Sequence, residues 1–300
     1  MPVLIDPITG DRLLVAPARA TRPNDLVHPA VPGGCPFCDG NEAETPPEVA
    51  ADRPGDGPAN SPGWLTRTIP NRFPALAPEE GTHEVVLLTP RHDALVGTLT
   101  ADEAHRAMAA AASRVRAVVA DPRGLLPFLF LNQGAAAGAS LRHPHAQVVG
   151  LPFDPPRMAA REHAFASAAS CPVCGDLATA AQEGRMVEDD GALVAWVPRT
   201  PAITAGVRIA PRSHRATWSD GPDPGALGPV LARVAELIAT RLDREDLNLW
   251  VVEGRSADGP VHWHADVVPR LGVLAGLEVG AGVLAGANDP ATLAARLRAA

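Results

Sequence analysis

Residues 132–147 read Asn-Gln-Gly-Ala-Ala-Ala-Gly-Ala-Ser-Leu-Arg-His-Pro-His-Ala-Gln. An apolar run, Leu125–Leu131, leads into this stretch, and a second, His145–Leu151, leads out of it. Two short apolar runs so closely spaced read as neighbouring antiparallel strands. The small residues from Gly134 through Gly138 to Ser140 let backbone amides approach a phosphate closely, and Ser140 adds a hydroxyl. His145 is the candidate nucleophile, because a neutral imidazole both attacks phosphorus and leaves it well. Gln147 lies two residues further on the same strand face, within reach of a phosphoryl oxygen. His143 shares that face, and the intervening Pro144 stiffens the backbone.

Outward from this block the chain repeats itself. Cys35-Pro-Phe-Cys38 is echoed by Cys171-Pro-Val-Cys174, Pro90-Arg91-His92 by Pro211-Arg212-Ser213-His214, and His143-Pro144-His145 by His262-Trp263-His264. The spacings agree: 92 − 38 = 54 against 214 − 174 = 40, and 143 − 92 = 51 against 262 − 214 = 48. Between the matched motifs the order is strand, helix, strand. Glu84–Leu88 and Leu247–Val252 read as strands, and 101–119 and 225–243 as helices, the first opened by Thr100 with Asp102 and Glu103 behind it. Residues 1–80 read as loop-rich. The expected fold is α+β: two tandem units, 1–155 and 156–300, each an antiparallel sheet with packed helices.

Each unit carries a metal-ligand pattern. Zinc takes four sulfur or nitrogen donors in a tetrahedron. The first unit offers Cys35, Cys38, His92 and one histidine of the 143/145 pair. The second offers Cys171, Cys174, His214 and one of the 262/264 pair. A thiol redox site needs only one C-x-x-C and no histidines, so the doubled order favours metal.

Bulk composition narrows the function. In 300 residues the net charge is −8, which speaks against a nucleic-acid surface. All 26 basic residues are arginine, which excludes a lysine Schiff base or P-loop lysine. No apolar stretch is long enough to span a membrane, and the opening Met-Pro-Val-Leu-Ile-Asp-Pro lacks the features of a secretory signal, so a cytoplasmic location is expected.

These motifs together resemble the galactose-1-phosphate uridylyltransferase family of the histidine-triad superfamily. The likeness runs through Ala18-Arg-Ala-Thr-Arg-Pro23, Cys35-Pro-Phe-Cys38 with Gly40-Asn-Glu42, and Thr45-Pro-Pro-Glu48. It continues through Pro70-Asn-Arg-Phe-Pro-Ala-Leu76, His83-Glu-Val85, the 132–147 block and Gly276-Leu-Glu-Val-Gly280. The resemblance implies that His145 becomes nucleotidylated, with Gln147 and Ser140 on the transferring phosphate and Asn71 and Asn132 near the nucleotide. It implies one zinc on Cys35, Cys38, His92 and His143, and another on Cys171, Cys174, His214 and His262. Arg19 and Arg22 would reach a sugar phosphate across a homodimer interface, and Glu278 the sugar. The implied reaction moves a nucleoside monophosphate between UDP-glucose and galactose 1-phosphate. The Ala18–Pro23 segment and the second C-x-x-C also fit the branch that acts on ADP-sugars. Leu277 stands where uridylyltransferases often carry an aromatic, and Arg142 where the family often has proline. Two readings of another class are a histidine-triad nucleotide hydrolase and a non-catalytic, zinc-stabilised nucleotide-binding protein.

Overall fold

A computed structural model describes residues 3–21, 24, 26, 34–55, 57–203 and 205–299. Strands β1 (Val3–Ile5) and β2 (Arg12–Leu14) pair by themselves. The first half then supplies β3 (Ala50–Asp52), β4 (Thr66–Pro70), β5 (Thr82–Leu87), helix α1 (Ala101–Val119), β6 (Leu126–Gln133) and β7 (His145–Leu151). The second half supplies α2 (Pro156–Ser167), α3 (Pro172–Ala180), β8 (Met186–Asp189), β9 (Leu193–Trp196), β10 (Val207–Pro211), α4 (Leu227–Leu242), β11 (Leu247–Val252), β12 (His264–Pro269) and α5 (Pro290–Arg298).

Among the described residues, β3 to β12 form one 10-stranded antiparallel sheet in the order β3-β4-β5-β7-β6-β11-β12-β10-β9-β8. The order is a palindrome of the repeat: β6 matches β11, β7 matches β12, β5 matches β10. The two units therefore meet edge to edge. β6 pairs with β11 from Leu129↔Val251 to Gln133↔Leu247, so the unit edges, which would otherwise expose unpaired backbone, satisfy each other. The connection between the halves is residues 152–155, from the end of β7 to the start of α2.

One face of the sheet carries the main core, and that core is shared. Val86, Leu129 and Val148 of the first half join Ile209, Leu249 and Val267 of the second beneath α1 and α4. Helix α1 begins with a reciprocal cap: Thr100 Oγ1 accepts from the Glu103 backbone N–H, and Glu103 accepts from the Thr100 N–H at 2.9 Å. Its inward face is short, with Ala104, Ala107, Ala111 and Ala112 all buried, so α4 packs close. At Gly228 the two helices approach backbone to backbone, and a Cβ there would overlap the Ala104 carbonyl.

The first 80 residues hold more order than their Pro/Gly content suggests. β4 is largely buried although it reads Thr-Arg-Thr-Ile-Pro. Its Arg67 is 1% exposed and is neutralised by Glu48, which also takes a two-pronged bond from Arg53. A short strand with a charge at its second position gives no alternating apolar signal, and only the folded pairing explains it. Burial alone would raise the Glu48 carboxyl, but the Arg53 and Arg67 bonds overcome it and hold Glu48 at about 2 against an ordinary 4.5. A folded-state value below the unfolded one stabilises above pH 4.5 and fades as pH falls toward 2. Glu48→Gln should therefore cost up to about 3 kcal/mol at neutral pH. The gap from wild type should close on acidification through that window, as urea melts at a series of pH values would record.

Candidate functional site

The cysteine–histidine motifs close into two clusters. Cys35 and Cys38 lie in a tight turn in which the Phe37 and Cys38 amides point back at Cys35, to its Sγ at 3.4 Å and its carbonyl at 3.2 Å. His92 arrives from the turn after β5 and His143 from the loop before β7. The donor atoms of Cys35, Cys38, His92 and His143 all lie within 4.8 Å of one another, and so do those of Cys171, Cys174, His214 and His262.

In the first cluster Cys38 Sγ is 3.4 Å from His92 Nδ1 and 3.9 Å from His143 Nδ1. In the second Cys174 Sγ is 3.8 Å from His214 Nδ1 and 3.2 Å from His262 Nδ1. A tetrahedral ion with zinc-like bond lengths would set such edges at about 3.5 Å, so both sets fit one. The outer contacts also repeat. His143 Nε2–H donates to the Thr89 carbonyl at 2.8 Å, and His262 Nε2–H to the Pro211 carbonyl at 3.0 Å. Each bond leaves the Nδ1 lone pair turned to the cysteines, as metal ligation needs. Burial holds both imidazoles down at about 4, in the neutral, ligating form. The Thr89 turn is itself tied to the start of α1. Glu103 accepts from Thr89 Oγ1 at 2.8 Å and from Arg91 Nη2 at 2.8 Å.

Two residues beyond His143, His145 opens β7. Its Nδ1–H donates to the His143 carbonyl at 2.8 Å, which fixes the tautomer and puts the lone pair on Nε2. The Phe37 ring packs edge-on against it with centroids 5.4 Å apart, so the C-P-F-C turn braces the candidate nucleophile as well as the cluster. His145 is on the wall of a cavity of about 260 Å³, together with Asn71, Asn132, Gly138, Ser140 and Gln147. Six of the residues singled out in sequence thus converge on one cavity.

Others do not. Gly134 is absent from the cavity wall. It has φ +82° and a Cβ there would overlap the Asp246 carboxylate, which accepts from the Ala136 amide at 2.6 Å. Its smallness serves the turn and makes room for Asp246. Gly134→Ala should cost about 1–3 kcal/mol and loosen this loop, which thermal melts would show. Arg19 donates to the Phe73 carbonyl at 3.0 Å and so anchors the 70–76 loop. Glu278 is half-buried in a short helical turn, accepting from the Ala275 amide at 2.9 Å, and is likewise away from the cavity wall. Arg22 lies outside the described residues.

The structure adds residues to which no role was attached. Phe37, Thr45, Arg72 and Phe73 line the cavity. The bracketing of Arg72 and Phe73 by Pro70 and Pro74 was the available signal for a rigid binding loop. Asn248 of β11 reaches across the central strand pair and donates to Asn132 Oδ1 at 2.8 Å and to the Ala137 carbonyl at 2.9 Å. With Asp246, it makes the second half a prop for the first half's loop.

The second half does not duplicate the cavity. His264 repeats the His145 bond, its Nδ1 lying 2.9 Å from the His262 carbonyl. Asp266 stands at the position of Gln147 and pairs with Arg208 at 2.8 Å, and the Phe165 ring lies over His264 with centroids 6.3 Å apart. In the loop before His262, Arg255 and Asp258 interrupt the small residues that run unbroken over 134–140.

A histidine-bearing strand against a Cys/His cluster, with the unit doubled across a shared sheet, defines a tandem histidine-triad-like fold. The family described as "Galactose-1-phosphate uridyl transferase, N-terminal domain" matches residues 65–155. An ADP-glucose phosphorylase of Arabidopsis thaliana is 27% identical over 312 aligned positions, covering 92% of this chain and 86% of that one. A galactose-1-phosphate uridylyltransferase of Streptomyces lividans is 32% identical over 51% of this chain and 39% of its own length. The crystal structure of an Arabidopsis thaliana ADP-glucose phosphorylase with bound ADP-glucose superposes with a TM-score of 0.78 at 25% identity, covering 100% of this chain and 98% of that one. The chain is similar to the galactose-1-phosphate uridylyltransferase family, its ADP-glucose phosphorylase branch included, and these likenesses support an enzyme of nucleotidyltransferase type. No helix of the described residues is long and apolar enough to cross a membrane.

Proposed function

We propose that this enzyme moves a nucleoside monophosphate from a nucleotide sugar to a phosphate-bearing acceptor through a covalent bond to His145 Nε2. The observation that carries the reading is the His145 imidazole, locked by the His143 carbonyl on the wall of a cavity it shares with Gln147, Ser140, Asn71 and Asn132. Nε2 attacks the α-phosphorus, and the bond to the bridging oxygen breaks. Hexose 1-phosphate leaves with that electron pair, needing no strong general acid. The imidazolium so formed keeps Nδ1–H on the His143 carbonyl, which stabilises the positive charge. Gln147 and Ser140 steady the phosphoryl oxygens, and Asn71 and Asn132 hold the nucleoside end. An acceptor phosphate then attacks the same phosphorus and frees His145. Zinc on the two Cys2His2 sets supplies structural cross-links, not a Lewis acid at phosphorus.

Two acceptor readings are each favoured by an observation. Near full-length similarity to an ADP-glucose phosphorylase supports adenylyl transfer from ADP-glucose, with inorganic phosphate as acceptor. The family match over 65–155 and the uridylyltransferase relative support UDP-glucose and galactose 1-phosphate. In either case the chain acts as a cytoplasmic homodimer. A second copy then completes the sugar-phosphate end with Arg19, Arg22 and Glu278. The half-buried Phe128, Phe130 and Trp250, on the sheet face away from the main core, support such pairing.

The test is isotope exchange. Labelled hexose 1-phosphate should enter the nucleotide sugar with no other acceptor present, the mark of a ping-pong route. Release of free nucleoside monophosphate without exchange would support the hydrolase reading instead.

A further inference from the structure

His83 does not reach the cavity wall, yet it is buried beneath it at the start of β5. Three contacts define its state. The Ala75 backbone N–H can only donate, and it lies 3.0 Å from His83 Nδ1, so Nδ1 carries the lone pair. In a neutral ring the proton is then on Nε2. Nε2–H faces Gln147 Oε1 at 2.9 Å and donates to it. The 3.1 Å approach of Asn71 Nδ2 to the same nitrogen becomes a meeting of two N–H groups rather than a hydrogen bond. Asn71 is held in place otherwise, its Oδ1 accepting from the Phe73 amide at 2.8 Å.

A glutamine amide has two orientations of similar shape and opposite chemistry. One offers a phosphoryl oxygen two N–H donors, and the other offers it a repelling carbonyl. We propose that His83 is the positioning residue that decides between them. Through its Ala75 bond it turns Nε2–H to Gln147, draws the Gln147 carbonyl inward, and leaves the Gln147 NH2 directed to the transferring phosphoryl group. The same ring joins the 71–75 loop, which lines the nucleoside side of the cavity, to the strand that carries the nucleophile. Loop order and phosphate recognition thus share one imidazole. This inference rests on the nucleotidyl-transfer reading for its consequence, but the orientation itself is measurable without turnover.

Two measurements test it. In 15N-labelled protein, long-range proton–nitrogen correlation should find His83 neutral with the proton on Nε2. A ring protonated on Nδ1, alone or as the imidazolium, would overturn the proposal whether or not the enzyme transfers nucleotides. The second is a double-mutant cycle on single-turnover nucleotidylation of His145. His83→Phe and Gln147→Ala should each slow the step about 10–100-fold with nucleotide-sugar affinity little changed. The double variant should be no slower than Gln147→Ala alone. Multiplying losses would mean that His83 acts structurally and not through Gln147. Failure of wild type to form any adduct, with the Nε2–H tautomer present, would sink the transfer reading and leave the orientation intact.

Discussion

His145→Ala should abolish nucleotidyl transfer, lowering kcat/KM by about 10⁴-fold or more, the scale seen when a covalent nucleophile is removed. The effect is large because nothing on the cavity wall can replace it. Among the described residues that line the cavity, His145 is the one imidazole or thiol. Thermal stability should fall far less, since the ring fills space against Phe37 but its bond to the His143 carbonyl is a single neutral hydrogen bond. Binding of the nucleotide sugar should persist, because Asn71, Asn132 and Gln147 are untouched. Loss of turnover with retained binding, by calorimetry beside steady-state kinetics, is the expected signature.

The two metal clusters should respond differently to the same change, and this is the second large effect. Cys38→Ser removes a donor from the set that includes His143. The His143 carbonyl is what orients His145, so activity should drop about 10–100-fold or more along with the melting temperature. Cys174→Ser strikes the set that includes His262, whose carbonyl orients His264. His264 sits under Phe165 beside the Arg208–Asp266 pair and faces no transfer cavity. That variant should lose stability and bound metal yet keep most of its activity below its new melting temperature. Metal content by mass spectrometry, melting temperature and turnover on both variants check the asymmetry. Equal loss of activity in the two would mean that the second cluster does more than brace its half.

Most of the fold's outline was legible from motifs. His145–Leu151 and Leu247–Val252 are strands at the residues read, and 101–119 is the helix read, because apolar runs and a Thr100/Glu103 cap are local signals. The repeat gave the doubled architecture, and the ligand order gave both Cys/His groups. What was not legible depended on contacts distant in sequence. β4 is hidden because its buried Arg67 makes sense only against Glu48. The joining of two sheets into one depends on β6 meeting β11, a pairing between residues more than a hundred positions apart. Gly134 read as a phosphate contact because glycine in a small-residue loop has that use, whereas the carboxylate it makes room for, Asp246, lies in the other half. His83 entered only as part of the His83-Glu-Val85 resemblance, and its hold on Gln147 is a fact of register between β5 and β7. Asn132 was named through the family resemblance, while Asn248, which orients it, carried no motif at all.

The central claim is the covalent nucleotidyl-histidine, and intact-protein mass spectrometry tests it most directly. Zinc-loaded wild type and His145→Ala would each be mixed with ADP-glucose and, separately, with UDP-glucose, and quenched within a turnover. The account predicts a mass gain of one nucleotidyl group on wild type alone, adenylyl for the phosphorylase reading or uridylyl for the uridylyltransferase reading, located to His145 by peptide mapping. An adduct that persists in His145→Ala, or turnover of either substrate with no adduct on wild type, would contradict it.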